Sequence, residues 1–258
     1  MKATTKSMVA GALALGVPMV AQAESPHSFS ANVALTSDYL FRGISQTTNE
    51  PALQGGFDYA YDSGDFATPY VGIWASSIDF GPSPNGDNAA IEVDYYGGLA
   101  GSFANGINWD VGGIYYHYPS QDQEDTAALN GGKADFDYVE AYLNLDYTIE
   151  SLEYSPTLGF GYAYSPDFFG EDGDGNYVSG TLDLSLPYGL GLGFLIGYQD
   201  VEGDKATTGF DYFHYSIGLS KDIGIFTADL SWNDSPDEDA DGCFDCEDIV
   251  MFSVSSSF

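Results

Sequence analysis

Ile91-Glu92-Val93-Asp94-Tyr95-Tyr96-Gly97-Gly98-Leu99 alternates strictly at its start: Ile91, Val93, Tyr95 and Leu99 share one side of an extended chain, with Glu92 and Asp94 on the other. Successive side chains of a strand point to opposite faces, so the stretch predicts a strand with one face for lipid and one for water. The pattern returns on both sides of it. Phe29, Ala31, Val33 and Leu35 oppose Asn32 and Thr36, and Val139, Ala141, Leu143 and Leu145 oppose Glu140, Asn144 and Asp146. Leu182, Leu184 and Leu186 oppose Thr181, Asp183 and Ser185, while Phe213, Tyr215, Ile217 and Leu219 oppose His214 and Ser216. Phe226, Ala228, Leu230 and Trp232 oppose Thr227, Asp229 and Ser231.

Extended outward, this rhythm predicts strands at 29-41, 51-61, 66-79, 90-100, 107-118, 136-147, 155-165, 176-186, 191-200, 211-220, 224-234 and 248-258. Their connectors are alternately brief (Asp62 to Asp65, Gly101 to Gly106, Ser151 to Tyr154, Pro187 to Leu190, Lys221 to Ile223) and long, polar and rich in Asp, Gly and Pro (80-89, 119-135, 166-175, 201-210, 235-247). Tight turns at one rim and larger loops at the other mark an all-β, up-and-down antiparallel transmembrane β-barrel of about twelve strands, its brief turns facing the periplasm. Closure follows from energy, because an open sheet edge in hydrocarbon leaves a row of backbone donors and acceptors unpaired. An even strand number brings both ends to the periplasmic side. There Val250, Phe252, Val254 and the terminal Phe258 alternate as in segments read by barrel-insertion machinery, although Ser256 stands where a bulkier residue is often found.

Residues 1-23 read as a secretory signal peptide: Lys2 and Lys6, an apolar run from Met8 to Val20, then Ala21-Gln22-Ala23. The run is too short to cross a bilayer as a helix. Residues 24-258 are then the mature outer-membrane barrel. Losing the leader removes two of the six basic residues and none of the 39 acidic ones, which leaves a formal charge of −35. Phosphate binding needs clustered Lys and Arg, so a nucleic-acid partner is excluded. Aromatic residues reach 16%, with 20 Tyr and 32 Gly. A barrel absorbs that load in two interfacial belts, and Gly relieves crowding between tightly paired strands.

The inward faces carry Glu92, Asp94, Asp110, Glu140, Asp146, Asp183 and Asp229, with no Lys or Arg at the same strand positions. A low-dielectric wall of one sign concentrates cations and repels anions. These are the pore-lining candidates of a channel; the same residues also suit a hydrogen-bonded polar plug. Twelve strands give a bore wider than an eight-stranded barrel and narrower than a sixteen-stranded porin. Arg42 is the only Arg, placed beside Tyr39 and Phe41 where the first strand leaves the membrane. It either pairs with the acidic wall and positions a loop in the pore or, the commoner role, anchors at lipid headgroups.

Asp237, Asp239 and Asp241 followed by Gly242 resemble the first half of an EF-hand loop, with Asp248 at the twelfth position in place of the usual Glu. Ca²⁺ is therefore the one cofactor considered, against an ordinary acidic loop. Asp172, Asp174 and Asn176 form a weaker Ca²⁺ candidate. Cys243 and Cys246, the only cysteines, suit a local disulfide in an exported chain, and no second C-x-x-C or nearby His completes a zinc site. His27, His117 and His214 have no Ser nucleophile at a recognisable spacing, which argues against an enzyme.

Ser37-Asp38-Tyr39-Leu40-Phe41-Arg42-Gly43-Ile44-Ser45-Gln46-Thr47 and Pro51-Ala52-Leu53-Gln54-Gly55-Gly56-Phe57-Asp58-Tyr59 resemble the TorF-type porin family of proteobacterial outer-membrane proteins. Glu92-Val93-Asp94-Tyr95-Tyr96-Gly97-Gly98 and Asp137-Tyr138-Val139-Glu140-Ala141-Tyr142 extend the likeness over most of the mature chain. The resemblance implies a barrel for passive solute passage in a family of poorly defined function. The expected function is passage of small polar solutes, favouring cations or zwitterions, with outer-membrane lipid and the insertion machinery as partners. The alternative is a non-conducting structural or Ca²⁺-binding surface barrel.

Overall fold

A computed structural model describes residues 25–62, 64, 66–81, 89–119, 136–170, 172–202, 211–234 and 248–258. The predicted signal peptide lies outside the described residues, as do Asp237, Asp239, Asp241, Cys243 and Cys246 of the acidic loop; Asp248 is described and exposed. In chain order the strands are β1 (His27–Thr36), β2 (Leu40–Phe41), β3 (Ile44–Ser45), β4 (Ala52–Tyr61), β5 (Ala67–Ser77), β6 (Ile91–Ser102) and β7 (Asn108–His117). There follow β8 (Tyr138–Thr148), β9 (Thr157–Ser165), β10 (Gly175–Leu186), β11 (Leu190–Val201), β12 (Tyr212–Ile223), β13 (Phe226–Asp234) and β14 (Ile249–Ser257).

Among the described residues, every strand except β2 and β3 joins one antiparallel sheet that closes as a twelve-stranded barrel, β14 returning to β1. The seam runs from Asn32↔Ser257 to Thr36↔Ser253 and is prolonged at both ends. Ala31 and Phe258 exchange backbone hydrogen bonds of 2.8 and 3.0 Å, and the Ser37 amide donates to the Phe252 carbonyl at 2.9 Å. Period-two alternation decides which way each side chain points. Phe29, Leu35, Val71, Leu99, Leu230 and Val250 are exposed on the outer wall, whereas Glu92, Asp94, Glu140 and Gln199 are buried inside it. That is the inverse of a water-soluble sheet, in which the apolar face is covered. Aromatic rings gather near both rims. Phe66, Phe103 and Trp109 pack together at the short-turn end, and Tyr95, Tyr115 and His117 stack toward the long-loop end.

Glycines inside the wall make room for tyrosines across the strand pair. Tyr96 lies opposite Gly72, Tyr70 opposite Gly98, and Tyr142 opposite Gly112. In each pair a Cβ on the glycine would strike the ring. The glycines thus leave room for the rings against the backbone of the next strand.

The first strand departs from expectation. It was expected to continue to residue 41, but β1 ends at Thr36 and the chain turns inward as the small hairpin β2–β3. Asp38 is the reason. Its Oδ1 accepts hydrogen bonds from the hydroxyls of Ser45 and Thr47, both at 2.7 Å, and Thr36 Oγ1 donates to the Asp38 carbonyl at 2.6 Å. These bonds clamp the base of a hairpin where a continuing strand would have exposed the same groups.

Candidate functional site

The hairpin projects into the lumen, and its tip is Arg42-Gly43. Both residues have positive φ, 50° and 85°, as a two-residue type I′ turn requires. Gly43 suits that backbone and also the space, because a Cβ there would lie 2.7 Å from the Cβ of His214. Arg42 does not suit it: a non-glycine residue in the left-handed region costs on the order of 1 kcal/mol. The surrounding contacts hold it there.

The Arg42 guanidinium donates to Glu140 Oε2 at 2.7 Å and to Gln199 Oε1 at 2.8 Å. Its Cζ lies 4.2 Å from the ring centre of Tyr177 and 4.6 Å from that of Phe41. Burial opposes the charge, but Glu140 and the surrounding aromatic groups outweigh it and hold the guanidinium above its ordinary pKa. Arg42 is therefore a lumen residue bound to the acidic wall, and the headgroup anchor is corrected. The inward strand positions carry no Lys or Arg, and the hairpin inserts the one basic group beside them. An Arg beside the last apolar residues of a strand fits either role. Only the inward turn set by Asp38 distinguishes them.

Around the tip the lumen at the long-loop end is packed among the described residues. Glu92 accepts from Tyr39 on the hairpin and from Tyr118, each at 2.7 Å. Burial, and after it the Glu92 charge, pushes both phenols well above their usual range, so they serve as donors to the carboxylate. Tyr116 donates to Glu140 Oε2 at 3.1 Å, and Tyr138 stacks on Tyr116 with centroids 4.3 Å apart. Asp94 is 0% exposed. Among the described residues neither of its carboxylate oxygens has a hydrogen-bond partner, nor has Oε1 of Glu140.

Toward the short-turn rim the bore is wetter. Asp110, Asp146, Asp183 and Asp229 are only partly buried. Asp110 accepts from Tyr70, and Asp146 accepts from Asn108 at 2.7 Å. Thus the seven acidic candidates fall at two heights: Glu92, Asp94 and Glu140 around the hairpin, the four aspartates below it. The same alternation makes Asp58, on β4, a further inward acid, bonded to Tyr96. Gln199 and Asp38 had no sequence signal as site residues, because their roles depend on where the hairpin lands; alternation put His214 on the inward face, but not beside the hairpin tip.

His214 is buried and shares a 2.9 Å hydrogen bond with the Tyr177 hydroxyl. His117 pairs with Asp137 at 2.7 Å, and His27 with the Tyr59 hydroxyl at 2.7 Å. Asn176 accepts from Tyr162 at 2.8 Å. Among the described residues no three His, Cys, Asp or Glu side chains converge as a metal site.

Residues 20–258 match the profile of Gcw_chp, described as a bacterial protein of unknown function. No curated protein matches the sequence. Among solved structures, the NanC porin in a rhombohedral crystal form superposes with a TM-score of 0.51 at 9% identity, covering 90% of this chain and 99% of that one. The KdgM porin in complex with disordered oligogalacturonate gives 0.46 at 7% identity, covering 89% of this chain and 97% of that one. LpxR from Salmonella typhimurium gives 0.41 at 12% identity, covering 89% and 99%. At such identities the likeness to NanC concerns the fold.

Proposed function

The chain belongs to the Gcw_chp family of bacterial proteins of unknown function, and from that premise, with a barrel shaped like a porin's, we propose that it is an outer-membrane channel for small polar solutes. The short-turn rim then faces the periplasm and the long-loop rim the outside. The residues facing the bore are Glu92, Asp94, Asp110, Glu140, Asp146, Asp183 and Asp229, with Arg42 at the hairpin tip. The wall favours cations or zwitterions, since one basic group stands among many acids. The likeness of Ser37 to Thr47 to TorF-type porins points the same way. Membrane lipid and the barrel-insertion machinery are the corresponding partners.

The observation that carries this reading is the placement of a charged loop tip inside the bore, bonded to Glu140 and Gln199. Reconstitution into planar bilayers tests it. Discrete current steps with a reversal potential favouring cations are expected, and electrically silent, well-folded protein would reject it. The packing of the lumen at the long-loop end, among the described residues, favours the second reading, a non-conducting surface barrel. Its Ca²⁺-binding form rests on Asp237, Asp239, Asp241 and Asp248 and is checked by calorimetric titration of the wild type against an Asp239→Ala, Asp241→Ala double variant.

A further inference from the structure

The hairpin tip shows what kind of group the lumen accepts. A guanidinium lies against the rings of Phe41 and Tyr177 while bonded to Glu140 and Gln199. The cluster has more capacity than this occupant uses. Glu92 is answered by two phenols, but the charges of Glu92 and Glu140 both act on Asp94. Asp94 is fully buried, and among the described residues both of its oxygens, and Oε1 of Glu140, lack partners. The guanidinium thus answers Glu140 alone, while Glu92 is bonded to two phenols and Asp94 has no hydrogen-bond partner among the described residues. Buried carboxylate oxygens left without a hydrogen bond are unfavourable, so the vacant oxygens call for a further donor.

A bare metal ion fits poorly, since no three acidic side chains converge among the described residues. A planar organic cation fits better. Its face stacks on aromatic rings while its edge donates several hydrogen bonds in a fixed fork, which a spherical ion does not do.

We propose that this cluster binds solutes carrying a guanidinium group, and that Arg42 is a built-in occupant which such a solute displaces. The proposal deepens the channel reading by naming its substrate class, and it rests on that reading for its physiological meaning. The tip is poised for exchange. Its left-handed Arg42 is held by Glu140 and Gln199, and a solute that takes those acceptors removes what keeps the hairpin seated. A free solute also reaches the open oxygens of Asp94 and Glu140, which the tethered side chain leaves unused.

The test is calorimetric titration of the full chain, folded in detergent, with guanidinium chloride against sodium chloride at equal ionic strength. Arg42→Ala vacates the position, and this variant is expected to bind guanidinium about tenfold more tightly than wild type. Adding Asp94→Asn is expected to reverse most of that gain. Should Arg42→Ala not fold, Arg42→Lys keeps the charge without the fork and takes the same titration. If folded variants bind guanidinium no better than sodium, the proposal is overturned. Bilayer recordings of the same variants separate the two readings. Current without guanidinium binding leaves the channel and removes the site; binding without current leaves the site and removes the channel.

Discussion

Glu140 accepts from Arg42 and Tyr116 through one oxygen, and the side chains of the ion pair are 7% and 2% exposed. Replacing one partner of a buried pair leaves the other charged and desolvated. Glu140→Gln is therefore expected to destabilise the folded protein by about 3 to 5 kcal/mol, read from the urea midpoint in detergent at neutral pH. Asp137, just ahead of β8, makes a milder case. Partial burial opposes its ionisation, but hydrogen bonds from Tyr115, the Tyr118 amide and His117 prevail and hold its carboxyl below the usual range. A depressed folded-state value means that its contribution is complete above the ordinary Asp pKa and is lost as pH falls through the lowered one. The difference in melting temperature between wild type and Asp137→Asn should accordingly be present at neutral pH and fade in acid. At this scale the inward acids were legible, because the alternation assigns each to a face. The partners of those acids were not, since Gln199 and Glu140 lie far from Arg42 in the chain.

The β2–β3 hairpin is held at its base by Asp38, which is 2% exposed and bonded to Ser45 and Thr47. Asp38→Ala leaves two buried hydroxyls short of an acceptor, at about 1 to 3 kcal/mol. That cost falls on the hairpin, not on the barrel ladder. The expected result is a larger single-channel current with an unchanged barrel unfolding midpoint. The wall strands respond differently. Gly112 faces Tyr142 across β7 and β8, and a Cβ would meet both the ring and the Gly97 carbonyl. Gly112→Ala should overpack the wall and lower the unfolding midpoint by about 1 to 3 kcal/mol, with the strand content in circular dichroism unchanged. Sequence periodicity located the twelve wall strands well but carried β1 too far. Leu40 and Phe41 continue the strand-like composition of β1, and nothing local marks Asp38 as a clamp.

The whole molecule presents apolar side chains to its surroundings and polar ones to its interior. Phe29, Leu53 and Val250 are each at least 60% exposed, far from what a soluble surface tolerates as a continuous belt. Purified protein is expected to need detergent, and to migrate faster on gels before heating than after it, because a closed sheet stays compact until its seam opens. Material that stays dispersed without detergent and shows no such shift would contradict the membrane barrel. The wetter half of the lumen, with Asp110, Asp146, Asp183 and Asp229, should weight any current toward cations. Screening by salt weakens that preference, so selectivity should fall between dilute and molar KCl.

The sequence by itself determined the strands, the face of each residue and the need for closure, since period-two alternation is local and a lipid-facing sheet admits no free edge. It also determined which acids point inward. Only the tertiary structure decided that the segment after Thr36 folds into the bore, and that Arg42 meets Glu140 of β8 while Asp94 has no hydrogen-bond partner among the described residues. Those outcomes depend on distances between residues remote in sequence, and no repeating pattern in the chain encodes them.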